Sequence, residues 1–248
     1  MPLNLLSLDL DWFNGIDTPF VPSYIAYFFT RLRSVCVQPK DITVMTGHHY
    51  LLPWCVHLRQ LHRARTVHVS NLDAHHDFYR LDTIKDFGRG KVTEGNFFAF
   101  MAHYGLLHRY TWVTNRTGLA VSFMQRPELL EALRVCTSRR VRRLRHTATV
   151  RRMLDVWDVV EGATFHGFAV VRSPDYTRTE LVTACVRRVL RRDFVGRGFF
   201  VRHIAHRAEF AYSRMPHAAI SGGADRAGAA VARLSSRRVP GVGRPVAS

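Results

Sequence analysis

The chain has 248 residues, 47% of them hydrophobic, which is long and apolar enough for one sizeable domain with a real core. Its formal charge of +17 is an arginine excess, since only three of 36 basic residues are lysines (Lys40, Lys85, Lys91); such a bias fits an acidic or nucleic-acid partner, and equally a compositional drift with no role. No stretch reaches the roughly 18 apolar residues of a membrane span, and Asp9 and Asp11 interrupt the N-terminal apolar run, so neither a membrane helix nor a signal peptide is expected and the protein is assigned to the cytoplasm.

In chain order, Leu5 to Leu10 alternates as a short strand that ends at Asp11-Trp12-Phe13, and Asn14-Gly15 with Pro19 and Pro22 marks a loop. Ser23 to Val35 has helical spacing, with Ile25, Phe28, Phe29 and Leu32 on one side. Asp41 to Met45 reads as a second strand, Thr46-Gly47-His48-His49 as its terminal loop, and Leu51 to Leu61 as a helix that tolerates Pro53 in its first turn. The Val-rich run Thr66 to Leu72 is a third strand, ending in Asp73-Ala74-His75-His76-Asp77. Further on, Tyr110 to Val113 predicts a strand, Glu128 to Cys136 a helix, Ala163 to Val171 a strand, and Thr179 to Arg192 a helix capped by Thr177 or Thr179. Strands alternating with helices predict a mainly parallel sheet covered on both faces, an α/β three-layer sandwich.

Cys36, Cys55, Cys136 and Cys185 lack C-x-x-C spacing and sit in apolar or helical contexts, so they read as buried free thiols. The basic run Ser138 to Met153 predicts a solvated helix or loop, and it is not interleaved with aromatics as a nucleic-acid platform would be. Residues 195–248 form a Gly/Ala/Arg-rich basic tail, expected to be mostly disordered from about Met215, because such a composition buries little apolar surface. The domain organisation expected is therefore an α/β domain over 1–194 followed by that tail.

Three strand ends carry acids or histidines: Asp9 and Asp11, His48 and His49, and Asp73, His75 and Asp77. In an extended segment residues i and i+2 face the same way, so Asp9 with Asp11 and Asp73 with His75 can each converge. Gathered carboxylates repel one another in a low dielectric unless a cation compensates. An oxygen-dominated set with imidazole and no thiolate favours manganese over zinc, and two such ions would lower the pKa of a shared water.

Ser7-x-Asp9-x-Asp11, Gly47-His48-His49 and Asp73-Ala74-His75-x-Asp77 resemble the three metal-binding segments of the arginase or ureohydrolase superfamily. There, four Asp and two His hold two manganese ions that activate the water attacking a guanidinium carbon, releasing urea. The order differs from ordinary arginases, in which the Ser-x-Asp-x-Asp strand comes last. This order, with Asp9 to Phe13 at the start, Leu51 to Trp54 after the histidines, Glu94 to Phe98 and Val170 to Thr177, resembles a compact arginase-like family that includes peptide arginases, which convert arginine to ornithine within peptides. The likeness covers about Leu5 to Arg192.

The resemblance implies an arginase-like sandwich, two manganese(II) ions and an arginine-containing peptide as substrate. It implies Asp9, Asp11, Asp73, His75 and Asp77 as metal ligands with one of His48 or His49. The apolar run after the loop favours His48, and the arginase glycine-rich loop favours His49. Asn96 corresponds to a substrate-contacting asparagine. The arginase proton-shuttle histidine is replaced by Phe98 and the guanidinium-binding acid has no match, so His76 is the candidate shuttle and Glu94 the candidate acid. The alternative from another class is a basic binding protein for an acidic peptide or nucleic acid, with a vestigial metal site. Nucleic acid ranks below peptide, no membrane partner is expected, and the sequence leaves the oligomeric state open.

Overall fold

A computed structural model describes residues 1–35, 41–117, 121–173, 179–194 and 200–204. The strands are β1 (Leu3–Asp9), β2 (Asp41–Met45), β3 (Val67–Leu72), β4 (Leu107–Val113), β5 (Ala148–Arg151), β6 (Gly167–Val171) and β7 (Phe200–Ile204). They form one seven-stranded sheet in the order β5-β4-β3-β1-β6-β2-β7. Every pair in it is parallel. The helices are α1 (Val21–Val35), α2 (Leu51–Leu61), α3 (Phe97–His103), α4 (Val121–Val135), α5 (Arg139–Leu144), α6 (Val156–Val160) and α7 (Thr179–Val189).

Strand alternation divides the core in two. Leu3 and Leu5 of β1 with Val67 and Val69 of β3 meet the apolar sides of α2, α3, α4 and α5. Leu6 and Leu8 of β1 with Ile42 and Val44 of β2 meet α1, α6 and α7. The result is the expected α/β three-layer sandwich, with central strands that are apolar on both faces because both are covered. Trp12 and Phe13 pack on Phe28 of α1, ring centroids 5.4 and 5.8 Å away, and so anchor the turn that follows β1.

Several boundaries differ from the sequence reading. The helix expected from Glu128 to Cys136 begins at Val121 with Pro127 inside it; Leu129 and Leu133, both buried, anchor it on the core despite the hydrogen bond the proline removes. The strand expected from Ala163 begins only at Gly167, which sits against α2, since a Cβ there would lie 2.7 Å from the Trp54 ring. The last helix gives way at Leu190 to a π-helical turn, Leu190–Phe194. Within the basic run, Arg139–Leu144 is a helix, but Ala148–Arg151 is an edge strand paired with β4, neither solvated helix nor loop. β7 pairs with β2, so the sheet extends past the expected domain limit at residue 194.

Cys55 and Cys136 are buried free thiols, and Cys185 is free and half-buried. Cys36, Thr177 and the chain from residue 205, with the disorder expected there, lie outside the described residues. No helix among the described residues is long and apolar enough to cross a membrane.

Candidate metal centre

Parallel register builds the floor of the site. Ser7 of β1 stands beside Asn71 of β3, and Leu8 beside Leu72. Ser7 and Asp9 continue the side-chain row of Leu3 and Leu5, while Asn71 and Asp73 continue that of Val67 and Val69. Asp9 and Asp73 thus emerge next to each other at the carboxyl ends of neighbouring strands, where open parallel sheets place their sites. Asp11 arrives differently from the sequence expectation: β1 ends at Asp9 and a 3-10 turn, Leu10–Gly15, carries Asp11 back over the strand end. Asp11 N–H donates to Asp9 Oδ1 at 3.1 Å, and Ala74 N–H donates to Asp11 Oδ1 at 3.2 Å, tying the two acidic segments together.

His48 comes from the end of β2 and is buried among the carboxylates. Its Nδ1 lies 3.3 Å from Asp9 Oδ2, 3.1 Å from Asp73 Oδ2 and 2.8 Å from Asp77 Oδ2. On the other side, His75 Nδ1 is 3.0 Å from Asp11 Oδ2 and 3.8 Å from Asp73 Oδ1. Two groups of metal-ligand atoms result, Asp9-His48-Asp73 and Asp11-Asp73-His75, with Asp73 common to both. Asp77 reaches His48 from a left-handed backbone conformation (φ 54°), one that Asp tolerates better than most residues.

The donor chemistry fits a cation. One Nδ1 carries at most one proton, and it cannot satisfy three carboxylate oxygens at once. Burial, with Asp11 next, pushes the Asp9 carboxyl up to about 7. Burial and then Asp77 raise Asp73 well above the ordinary range, and burial also raises Asp77. Burial opposes an imidazolium at His48, but Asp77, Asp73 and Asp9 outweigh it and hold the group well above its usual value. His75, bonded to Asp11, rises to about 9. Without a metal, protons do the compensating; the buried Asp/His group can hold a metal ion in their place.

Supporting contacts fix these groups. His48 Nε2 is 2.9 Å from Ser7 Oγ. The Ser173 hydroxyl donates to Asp9 Oδ2, and Ser173 is itself held at φ 38°. Asn71 Nδ2 donates to Asp73 Oδ2 at 3.0 Å, and Trp112 Nε1 donates to the Asp73 carbonyl at 2.9 Å. Phe97 packs 4.8 Å from the His48 ring and Phe98 5.8 Å. Sequence reasoning missed Asn71, Trp112 and the role of Phe97. Only Asn71 left a signal, the i, i+2 alternation toward Asp73.

Four assignments look different in three dimensions. His49 stands apart from the carboxylates, its Nδ1 3.7 Å from Glu94 Oε1 and its ring on Tyr50, so the structure brings His48 to the cluster. Glu94 lies over Gly47, where any Cβ would collide with its Oε1, and so borders the histidine loop. The Asn96 amide is engaged locally: it accepts from Thr93 N–H at 2.8 Å and donates to the Lys91 carbonyl at 3.1 Å, holding the turn before α3. His76 is buried under Tyr79 and Trp112, and its Nδ1 accepts from Phe78 N–H at 3.0 Å. Burial, then the neighbouring His75, lower it to about 4.

Comparison of the chain with protein-family models, with curated proteins and with solved structures returns no match.

Proposed function

We propose that this protein is a metal-dependent hydrolase of an amidine C–N bond, converting arginine within a peptide to ornithine and urea, with two manganese ions as cofactor. The observation that carries this reading is the convergence of Asp9, Asp11, His48, Asp73 and His75, from three separate segments, into two ligand groups that share Asp73, with Asp77 against His48. Asp9, His48, Asp73 and Asp77 would hold one ion, and Asp11, Asp73 and His75 the other. When bound, the ions supply the Lewis acidity that lets water attack a guanidinium carbon near neutral pH. The chain itself orients the ligands: Ser7 faces the far nitrogen of His48, Ser173 holds Asp9, and Asn71 holds Asp73. Phe97 and Phe98 seal the inner side of His48 against water. His75, with its side chain 43% exposed, leaves the opposite side open to a substrate.

Mass spectrometry of arginine peptides incubated with manganese-loaded protein tests this: a loss of about 42 Da with release of urea is expected. Intact peptides across a panel of sequences, despite bound manganese, overturn it. A second reading rests on Arg139, Arg143, Arg145 and Arg151, all exposed along α5 and β5, which suit an acidic peptide or nucleic acid held with strong salt dependence. Binding that survives both chelation and removal of those arginines would sink that alternative.

A further inference from the structure

Parallel sheets are ordinarily covered on both faces, and at one corner this sheet is not. The apolar cluster beneath α1, α6 and α7 reaches β3 and β4 only at Leu72 and Val113, and it does not reach β5. Elsewhere on that face, alternation presents only polar side chains from these three strands. His68 stands beside Arg109, while Ser70, Thr111 and Thr149 fall in register across β3, β4 and β5. Arg151 follows two residues after Thr149, on the same face. His68, Ser70 and Thr111 are half-buried, and Arg109, Thr149 and Arg151 are exposed. The Thr149 hydroxyl donates to Thr111 Oγ1 at 3.0 Å, which aligns the row.

β5 is also an open edge of the sheet. Thr114 N–H donates to the Arg151 carbonyl at 2.9 Å, so Arg151 and, by alternation, Thr149 turn their backbone groups toward β4. Val150 therefore turns its N–H and C=O outward, and neither has a hydrogen-bond partner among the described residues. Such groups are a template for another strand. A strand added there sets alternate side chains on the polar face, next to Thr149 and Arg151, and the others beside Val150, which packs against the apolar core.

The exposed charge on this face has one sign. Arg109 and Arg151 form no ion pair among the described residues, whereas Arg152, next in the chain, holds Asp155 through hydrogen bonds of 2.9 and 2.6 Å. The segment from residue 205 is itself basic in composition, the wrong sign to complement the face. The rows hold no Phe, Tyr or Trp on which bases would stack, which favours a peptide over nucleic acid.

We propose that the β5 edge and its polar face dock an extended acidic segment of a partner polypeptide by strand addition, with Asp or Glu at alternate positions facing Arg151, and Arg109 one strand further in. This surface needs no metal and so goes beyond the hydrolase reading; it gives the arginine-bearing edge one class of partner and one mode of contact.

The test measures binding to the full chain by fluorescence anisotropy, with and without chelator, for a short labelled peptide alternating Asp and Val. Its Lys/Val counterpart, an isomer with the aspartates contiguous and an oligouridylate serve as comparisons. The alternating acidic peptide is expected to bind about tenfold or more tightly than the other peptides, whether or not metal is present. Val150→Pro removes only the outward N–H, a change that edge strands tolerate, and should abolish binding with an unchanged melting temperature. Arg109→Glu combined with Arg151→Glu should weaken binding by about tenfold or more. N-methylation of the peptide at alternate backbone positions probes the same contact without altering the protein: one set should abolish binding and the other leave it intact. No binding by wild type, equal effects of the two methylated sets, or equal affinity for the contiguous isomer overturns strand addition, as does loss of binding with chelator. Oligouridylate that binds more tightly than the alternating peptide assigns the face to nucleic acid and overturns the peptide.

Discussion

The buried Asp/His cluster and the α5–β5 edge both gather charged residues, and they treat charge in opposite ways. At the edge, Arg139, Arg140, Arg143, Arg145 and Arg151 are exposed while Val141, Leu144 and Ala148 enter the core. Two arginines of this edge hold chain ends: half-buried Arg142 donates to the Cys136 and Thr137 carbonyls, both at 2.8 Å, and Arg140 donates to the His103 carbonyl at 3.1 Å, after α4 and α3. Water screens the rest at little cost. At the centre, Asp9, Asp11, Asp73 and Asp77 are buried beside one another. Like charges in that setting stay close only if a proton or a cation stands between them. Density of charged letters in the sequence is therefore a poor guide to function, and burial of like charge is a better one.

The sharpest way to break this contrast is Asp73→Asn, which removes the ligand common to both groups. Manganese affinity should fall by more than the roughly 10- to 100-fold that loss of a supporting group causes, so elemental analysis should find the purified variant depleted of manganese and the rise in melting temperature on adding manganese should vanish. Metal content equal to wild type would end the metal reading. Next is Phe97→Ala, which empties the space against His48; urea denaturation should show a loss of about 3–5 kcal/mol. Ser173→Ala should lower manganese affinity by about 10- to 100-fold while leaving the chelated fold nearly as stable, because it loosens Asp9 without opening the core.

A pH series on chelated protein gives a smaller effect of definite sign. His75 is raised from 6.5 to about 9, and His48 well above the same ordinary value. Between pH 7 and 9 the folded chain thus holds protons that the unfolded chain releases, so stability present at pH 7 is lost as pH rises to 9. Asp9, raised to about 7, adds a fall at lower pH, while His76, lowered to about 4, opposes it there; Asp73, raised well above its ordinary range, acts with the same sign as His48 and His75. Manganese should abolish the slope by replacing those protons. A melting temperature that rises from pH 7 to 9 without metal would contradict the arrangement of His48 and His75. The smallest effect belongs to the edge: Arg143→Ser should change stability by no more than about 0.5 kcal/mol and leave manganese content untouched.

The strands and helices nearest the site were largely legible. DITVM is β2 with the limits read from its composition, and Leu51 to Leu61 is α2, because a short apolar alternation and a dense apolar run are both local signals. Elements held by contacts distant in sequence were not: β5 exists because β4 offers it an open edge, and residues 148–151 carry too little apolar pattern to announce a strand. The role of Phe97 was equally hidden, since packing against a histidine almost fifty positions away leaves no local trace.

The sequence by itself determined the α/β alternation and the three acid and histidine segments, because side-chain period and strand-end placement are local properties of the chain. Only the tertiary structure set His48 among the carboxylates and His49 against Glu94, turned the Asn96 amide to Thr93 and Lys91, packed His76 under Tyr79, and brought Glu128 beside His76. Those outcomes depend on strand register and on which helix covers the open end of the sheet. Such relations between distant segments are settled by packing of the whole domain.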